Sequence, residues 1–211
     1  MSTRLEQRAV VLGGDLSSGS LRSVTVTALG RTRTPVSRVG ARPGDGVWVT
    51  GALGASRAAV DAWRAGREPD PGAREAFTKP ASRHAAGTWL STQGARAMLD
   101  LSDGLGADAS HLAAASDVRI AIDLERVPVA GPAAAAAVSA GVESTLYAAI
   151  GGEDYELLVA MPPEFEERGP EAFERATGLA ITRVGEVRRG RGARFRLRGE
   201  TIALEGFDHF R

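Results

Sequence analysis

"ARAMLDLSDGLGADASHLAAASDVRIAIDLERVPV", residues 95–129, reads as a strand, a tight turn, a helix and a second strand. The first strand ends at Asp100, the turn holds Ser102, Asp103 and Gly104, and an Ala-rich helix follows. From Val118 the chain alternates apolar and polar residues, the period-two signature of a half-buried strand. Working outward, "GASRAAVDAWRAG" (54–66) places Ala, Val and Trp at helical spacing and ends at a glycine, so it predicts a helix. "REPDPGAREAF" is a loop entering a helix, and "HAAGTWLSTQG" predicts another. "VWVTG" is a strand after a Gly-Ala-Arg-Pro-Gly-Asp turn. "SLRSVTVTALG" alternates from Leu21 to Leu29 and predicts a strand. The Ala-rich stretch after Gly131-Pro132 and residues 164–177 read as helices, and residues 181–204 as a small hairpin system. Strands and helices interleave without a repeat, which gives an α+β or layered α/β class.

With 211 residues, 43% hydrophobic and 25% charged, the chain can bury a sizeable core. Its 26 basic and 26 acidic residues cancel, against the basic excess usual in a nucleic-acid binder. The absence of cysteine excludes disulfides, thiolate zinc sites and a cysteine nucleophile. No apolar run suits a signal peptide or a membrane span, so the expected location is cytoplasmic. A boundary is expected near Pro35 and the glycine-rich turn, dividing residues 1–36 from 37–211.

The chemistry narrows by elimination. The only lysine, Lys79, stands in "TKPA", so there is no P-loop. No G-x-G-x-x-G opens a helix, and Ser102 in "DLSDG" is not a hydrolase elbow. The three histidines, His84, His111 and His209, lack zinc spacing. Three acid-bearing turns remain: "GGDLSSGS", "DLSDGLGAD" and "GGEDYE". Crowded carboxylates repel unless a cation separates them, and hard oxygen ligands without His or Cys favour Mg²⁺ with phosphate. The alternatives stay open turn by turn: Ser102 or Asp103 as a helix N-cap, "GGEDYE" as a solvated acid pair, "GGD" as an ordinary turn.

Taken in order, "VLGGDLSSGSLRSVTVTALG", "SRVGARPGDGVWVTGALGASRAAV", "MLDLSDGLGADASHLAAASDVRIAIDLERVPV", "LYAAIGGEDYELLVAMP", "ITRVGEV" and "EGFDHF" resemble the thiamine-monophosphate kinases. These belong to the aminoimidazole ribonucleotide synthetase-like ATP-binding superfamily. The resemblance implies that residues 37–211 form that superfamily's layered C-terminal domain. It also implies that residues 1–36 are a remnant of the N-terminal ATP/Mg-binding domain. It implies phosphoryl transfer from ATP to thiamine monophosphate with Mg²⁺ and no covalent intermediate, so no residue is assigned as a catalytic nucleophile or base. Nucleic acid and membrane are not implied as partners, and the resemblance leaves room for a homodimer. Residue by residue, Gly14, Asp15, Arg38 and Ser102 match nucleotide-binding positions. Asp15, Asp100 and Asp103 match Mg²⁺ ligands. Glu153 and Phe207 match contacts to the thiamine moiety, with Asp154 a further candidate. The alternative is a non-catalytic member that binds thiamine phosphate or a partner.

Overall fold

Every residue of β1 (Gly46–Thr50) is buried. Its sequence, GVWVT, has no polar face because both sides of the strand meet apolar layers. Val47 and Val49 enter the larger core, while Trp48 points the other way into a second one. The computed structural model, which describes residues 12–204, builds a seven-stranded sheet around this strand. The remaining strands are β2 (Ala97–Asp100), β3 (Arg119–Asp123), β4 (Leu157–Met161), β5 (Ile181–Arg188), β6 (Gly192–Leu197) and β7 (Glu200–Ile202). Their order is β2-β4-β1-β5-β3-β6-β7, and every pairing is antiparallel except β3 with β6.

The helices are α1 (Ala55–Arg64), α2 (Pro71–Thr78), α3 (His84–Thr92), α4 (Leu105–Ser116), α5 (Gly131–Ala140), α6 (Ser144–Ala149) and α7 (Phe165–Thr177). On one face of the sheet, Leu105, Ala109, Leu112 and Ala113 of α4 pack with Val49, Leu99, Leu158 and Ile120. On the other, Leu90 of α3 and Phe165 and Phe173 of α7 meet Trp48, Val159 and Met161. Edge-to-face ring pairs, Trp48 with Phe165 at 5.2 Å and Trp89 with Phe173 at 5.4 Å, order this second core. The 42–45 turn that launches β1 closes when Arg42 N–H donates to the Asp45 carboxylate at 2.7 Å, which Arg96 meets at 3.1 Å. The layered α+β class expected from the sequence is the one observed.

Two details differ from the sequence reading. Residues 181–204 are not a simple hairpin system: β6 and β7 form a hairpin, but β3 lies between β5 and β6. The three-residue link from β5 to β6 therefore spans the start of β3. Gly190 takes φ +119 there, and a Cβ on it would lie 2.9 Å from the Arg119 guanidinium carbon. Sequence spacing favours pairing of neighbours, and only the packed sheet shows a third strand inserted between them. The second difference is the strand expected over Leu21–Leu29. Chain contacts divide the molecule into Met1–Pro35 and Val36–Arg211. In the first unit, the described residues form neither helix nor strand, and Leu21, Val24, Val26 and Leu29 are all exposed. Alternation supplies an apolar face, but a strand also needs a hydrogen-bonding neighbour, and none lies alongside among the described residues of this unit.

Gly185 in β5 has no room for a side chain, since a Cβ would stand 2.0 Å from the Ala121 carbonyl oxygen of β3. Gly185→Ala is expected to part β3 from β5 and cost about 1–3 kcal/mol. Chemical denaturation checks this: a midpoint equal to the parent's would show that the strands can shift freely.

Candidate active site

The site grows from the place where β2 ends and α4 begins. Asp100 is exposed at the end of β2, and Leu101 returns to the core. Gly104 then adopts φ +90, where a Cβ would meet the Gly151 carbonyl oxygen at 2.4 Å. Among the described residues, no side chain caps the start of α4. Instead the helix caps the turn: the Asp108 carboxylate accepts from Ser102 N–H at 3.0 Å and Asp103 N–H at 3.1 Å. The N-cap reading of Ser102 and Asp103 is thereby corrected: the capping runs the other way, from an acid inside the helix to the amides of these two turn residues. Asp108 is 2% exposed. Burial pushes its carboxyl up to about 6, helped by the Asp103 charge and opposed by the two amides and His111. Ligand atoms of Asp103, Asp108 and His111 lie within 4.8 Å of one another.

The segment from Gly151 to Glu156 lies against this turn. Leu101 N–H donates to Glu156 O at 2.8 Å, Tyr155 N–H to Leu101 O at 2.9 Å, and Glu153 N–H to Ser102 O at 2.9 Å. A Cβ on Gly152 would stand 2.6 Å from Ser102 O, so the second glycine of the pair permits backbone contact. Glu153 and Tyr155 both take positive φ, +63 and +51. For residues with a Cβ this costs about 1–2 kcal/mol each, so other contacts must hold them.

Those contacts come from the β1–α1 connection. Gly54 N–H donates to Asp154 Oδ1 at 2.8 Å, and Ser56 Oγ donates to Glu153 O at 2.7 Å. Buried Glu156 accepts from Thr50 Oγ1 at 2.6 Å and from Arg83 Nε at 2.7 Å, while a second Arg83 nitrogen binds its other oxygen. The acids of "EDYE" thus part company. Glu153 lines a cleft of about 420 Å³ with Arg57, Arg64, Phe77, Ser102 and Gly152. Asp154 and Glu156 line a different cleft of about 290 Å³ with Lys79 and Arg83. Tyr155 closes the first group by donating its hydroxyl to Glu153 Oε2 at 2.9 Å. That hydrogen bond raises the Tyr155 phenol, followed by burial and the charges of Glu153, Asp100 and Asp103.

The fold therefore brings Asp100, Ser102, Asp103 and Glu153 together. Arg38 is exposed, its carbonyl accepting from Ser116 Oγ at 2.9 Å, and it lines neither cleft. Gly14 and Asp15 are exposed members of the first unit. Phe207 lies outside the described residues. Sequence reasoning did not assign roles to Arg57, Arg83, Asp108 or Glu156. Asp108 carried a usable signal, an acid in the first turn of a helix after a glycine turn; the other three act through contacts distant in sequence.

The family profile described as AIR synthase related protein, C-terminal domain, matches residues 42–198. The chain belongs to this family. The match embraces both the Asp100–Asp103 turn and the Glu153 segment. Among curated relatives, the chain is 39% identical to the thiamine-monophosphate kinase of Halobacterium salinarum across 201 residues. That alignment covers 95% of this chain and 65% of the relative. A thiamine-monophosphate kinase structure from Stenotrophomonas maltophilia superimposes with a TM-score of 0.71 at 27% identity, covering 81% of this chain and 55% of the other. The Aquifex aeolicus enzyme, solved with AMPPCP and TMP, gives a TM-score of 0.70 at 34% identity, covering 83% and 54%. The chain thus spans less than two thirds of the length of these proteins.

Burial pushes the Asp154 carboxyl up to about 7, with the Glu156 charge adding to it and the Gly54 amide opposing. An acid held protonated in the fold stabilises it most below the ordinary carboxylate pKa. That contribution fades as pH rises to about 7, because the unfolded chain ionises first. Stability is expected to fall by on the order of 1–3 kcal/mol between about pH 4 and pH 7, and Asp154→Asn to flatten much of the slope. Denaturant titrations at several pH values measure it; an unchanged slope in the variant would show that Asp154 does not titrate there.

Proposed function

We propose that this chain carries the acceptor side of a thiamine-monophosphate kinase, which transfers a phosphoryl group directly from ATP to thiamine monophosphate. The observation that carries the reading is the shared cleft wall of Ser102 and Glu153, set beside Asp100 and Asp103. A chain matching kinases of this name over 95% of its length supports the same reading.

The acids suit Mg²⁺. Asp100 is exposed and enters no ion pair among the described residues, and its neighbour Asp103 adds a second hard oxygen donor. Bound by Asp100 and Asp103, Mg²⁺ would neutralise charge on phosphate oxygens; Asp15 is taken separately as a further Mg²⁺-binding position of this reading. Phosphoryl transfer needs little covalent help from protein, so positioning dominates. Glu153 offers an anion, and Phe77 an apolar face, for the cationic thiazolium and its attached pyrimidine. Arg57 and Arg64 offer donors to the monophosphate from the same wall. Arg57 is already steered by its bond to Tyr147 O at 2.8 Å and its stacking 4.0 Å over the Tyr147 ring. Ser102, Gly14, Asp15 and Arg38 are the nucleotide contacts of this reading, and Phe207 a further contact to the thiamine ring. The reaction and its Mg²⁺ requirement belong with a cytoplasmic location.

Two measurements test this. Purified chain with Mg-ATP should release ADP only when thiamine monophosphate is present, and Asp103→Asn should lower kcat about 100-fold or more. Glu153→Gln should instead raise KM about 10-fold with kcat largely kept. Thiamine monophosphate bound without ADP release would favour the non-catalytic binding protein. No binding at all would overturn the reading.

A further inference from the structure

The 152–156 backbone follows a course that its own residues resist. Glu153 and Tyr155 sit in the left-handed region, and between them Asp154 turns its side chain to the opposite side from the cleft. Left unsupported, such a stretch relaxes towards extended backbone and carries Glu153 out of the cleft wall. Besides the bonds that the Glu153 backbone makes with Ser56 and Ser102, two side-chain supports oppose this. The Asp154 carboxylate holds the Gly54 amide at the β1–α1 connection. Glu156 is 4% exposed and gripped by Thr50 and by both prongs of Arg83, which reaches in from the segment between α2 and α3. A two-pronged guanidinium fixes a carboxylate's plane as well as its position, which a lysine does not.

We propose that Asp154, Glu156 and Arg83 are positioning residues that hold Glu153 in the cleft wall, so that the 79–83 segment sets the acceptor site without touching it. For Asp154 the acceptor oxygen matters rather than the charge. Asparagine should therefore serve and alanine should not. For Arg83 the fork matters, and lysine should not serve. The anchoring stands on the geometry alone; its effect on ligand rests on the functional reading above.

Hydrogen exchange of the full chain, followed by peptides covering 150–157, tests the anchoring. Asp154→Ala and Arg83→Lys should speed exchange in that stretch about 10-fold, with β1 and β5 unchanged, while Asp154→Asn keeps the parent's rate. Calorimetric titration with thiamine monophosphate should show a loss of about 10-fold in affinity for the first two variants and less than about 2-fold for Asp154→Asn. Parent-like exchange in both Asp154→Ala and Arg83→Lys overturns the inference. So does faster exchange with unchanged affinity. A parent chain that binds no thiamine monophosphate defeats the functional reading instead, and exchange alone then decides the anchoring.

Discussion

The carbonyl of Ser102 accepts the Glu153 amide at 2.9 Å, close enough to Gly152 that no side chain fits between. This contact joins two turns that are about fifty residues apart in the chain, and the site follows from it. It draws the "DLSDG" carboxylates and Glu153 to one place. It also requires glycine at 104 and 152, where any Cβ would strike a carbonyl oxygen. Because the contact lies just beyond the paired ends of β2 and β4, the sheet registers the two turns before their side chains meet. A slip of one residue in β4 would exchange its two buried faces, sending Leu158 and Ala160 into the layer of Val159 and Met161, and dissolve the site with it.

Around that contact the carboxylates divide by surroundings rather than by type. Asp100, in water at a strand end, is free to meet a cation. Asp108 and Glu156 are buried, and each is used up by donors: two turn amides for one, Thr50 and Arg83 for the other. Buried acids without such donors would be costly, so their partners mark them as supports. Glu153 falls between these cases, held by Tyr155 yet facing the cleft. Four acids of the same chemistry thus hold four different positions.

How much of this was legible beforehand depends on the range of the interaction. The helices announced themselves through local periodicity and their glycine stops, as in α1 and at Gly66. The strand–turn–helix around Asp103 was legible because its residues are neighbours, and "GGEDYE" because two glycines before two acids are hard to explain as a plain turn. The insertion of β3 between β5 and β6 was not legible, since nothing local encodes which strand lies beside which. Arg83 was hidden for the same reason: its carboxylate lies 73 residues away. The alternation of Leu21–Leu29 is the pattern of a half-buried strand, yet these residues are exposed and form no strand, since a pattern cannot supply the partner. In the sequence Asp108 is one acid among several, and its capping of the turn becomes visible only with the helix axis in place.

The joined turns form one ligand surface. Amide chemical-shift mapping of the isotopically labelled chain, titrated with thiamine monophosphate in the presence of Mg²⁺, tests it most directly. The largest changes are expected at residues 101–104 and 150–156, with smaller ones at Arg57, Arg64 and Phe77. Changes centred instead on the arginine-lined groove of Arg126, Arg188 and Arg196, or confined to only one of the two turns, would contradict it.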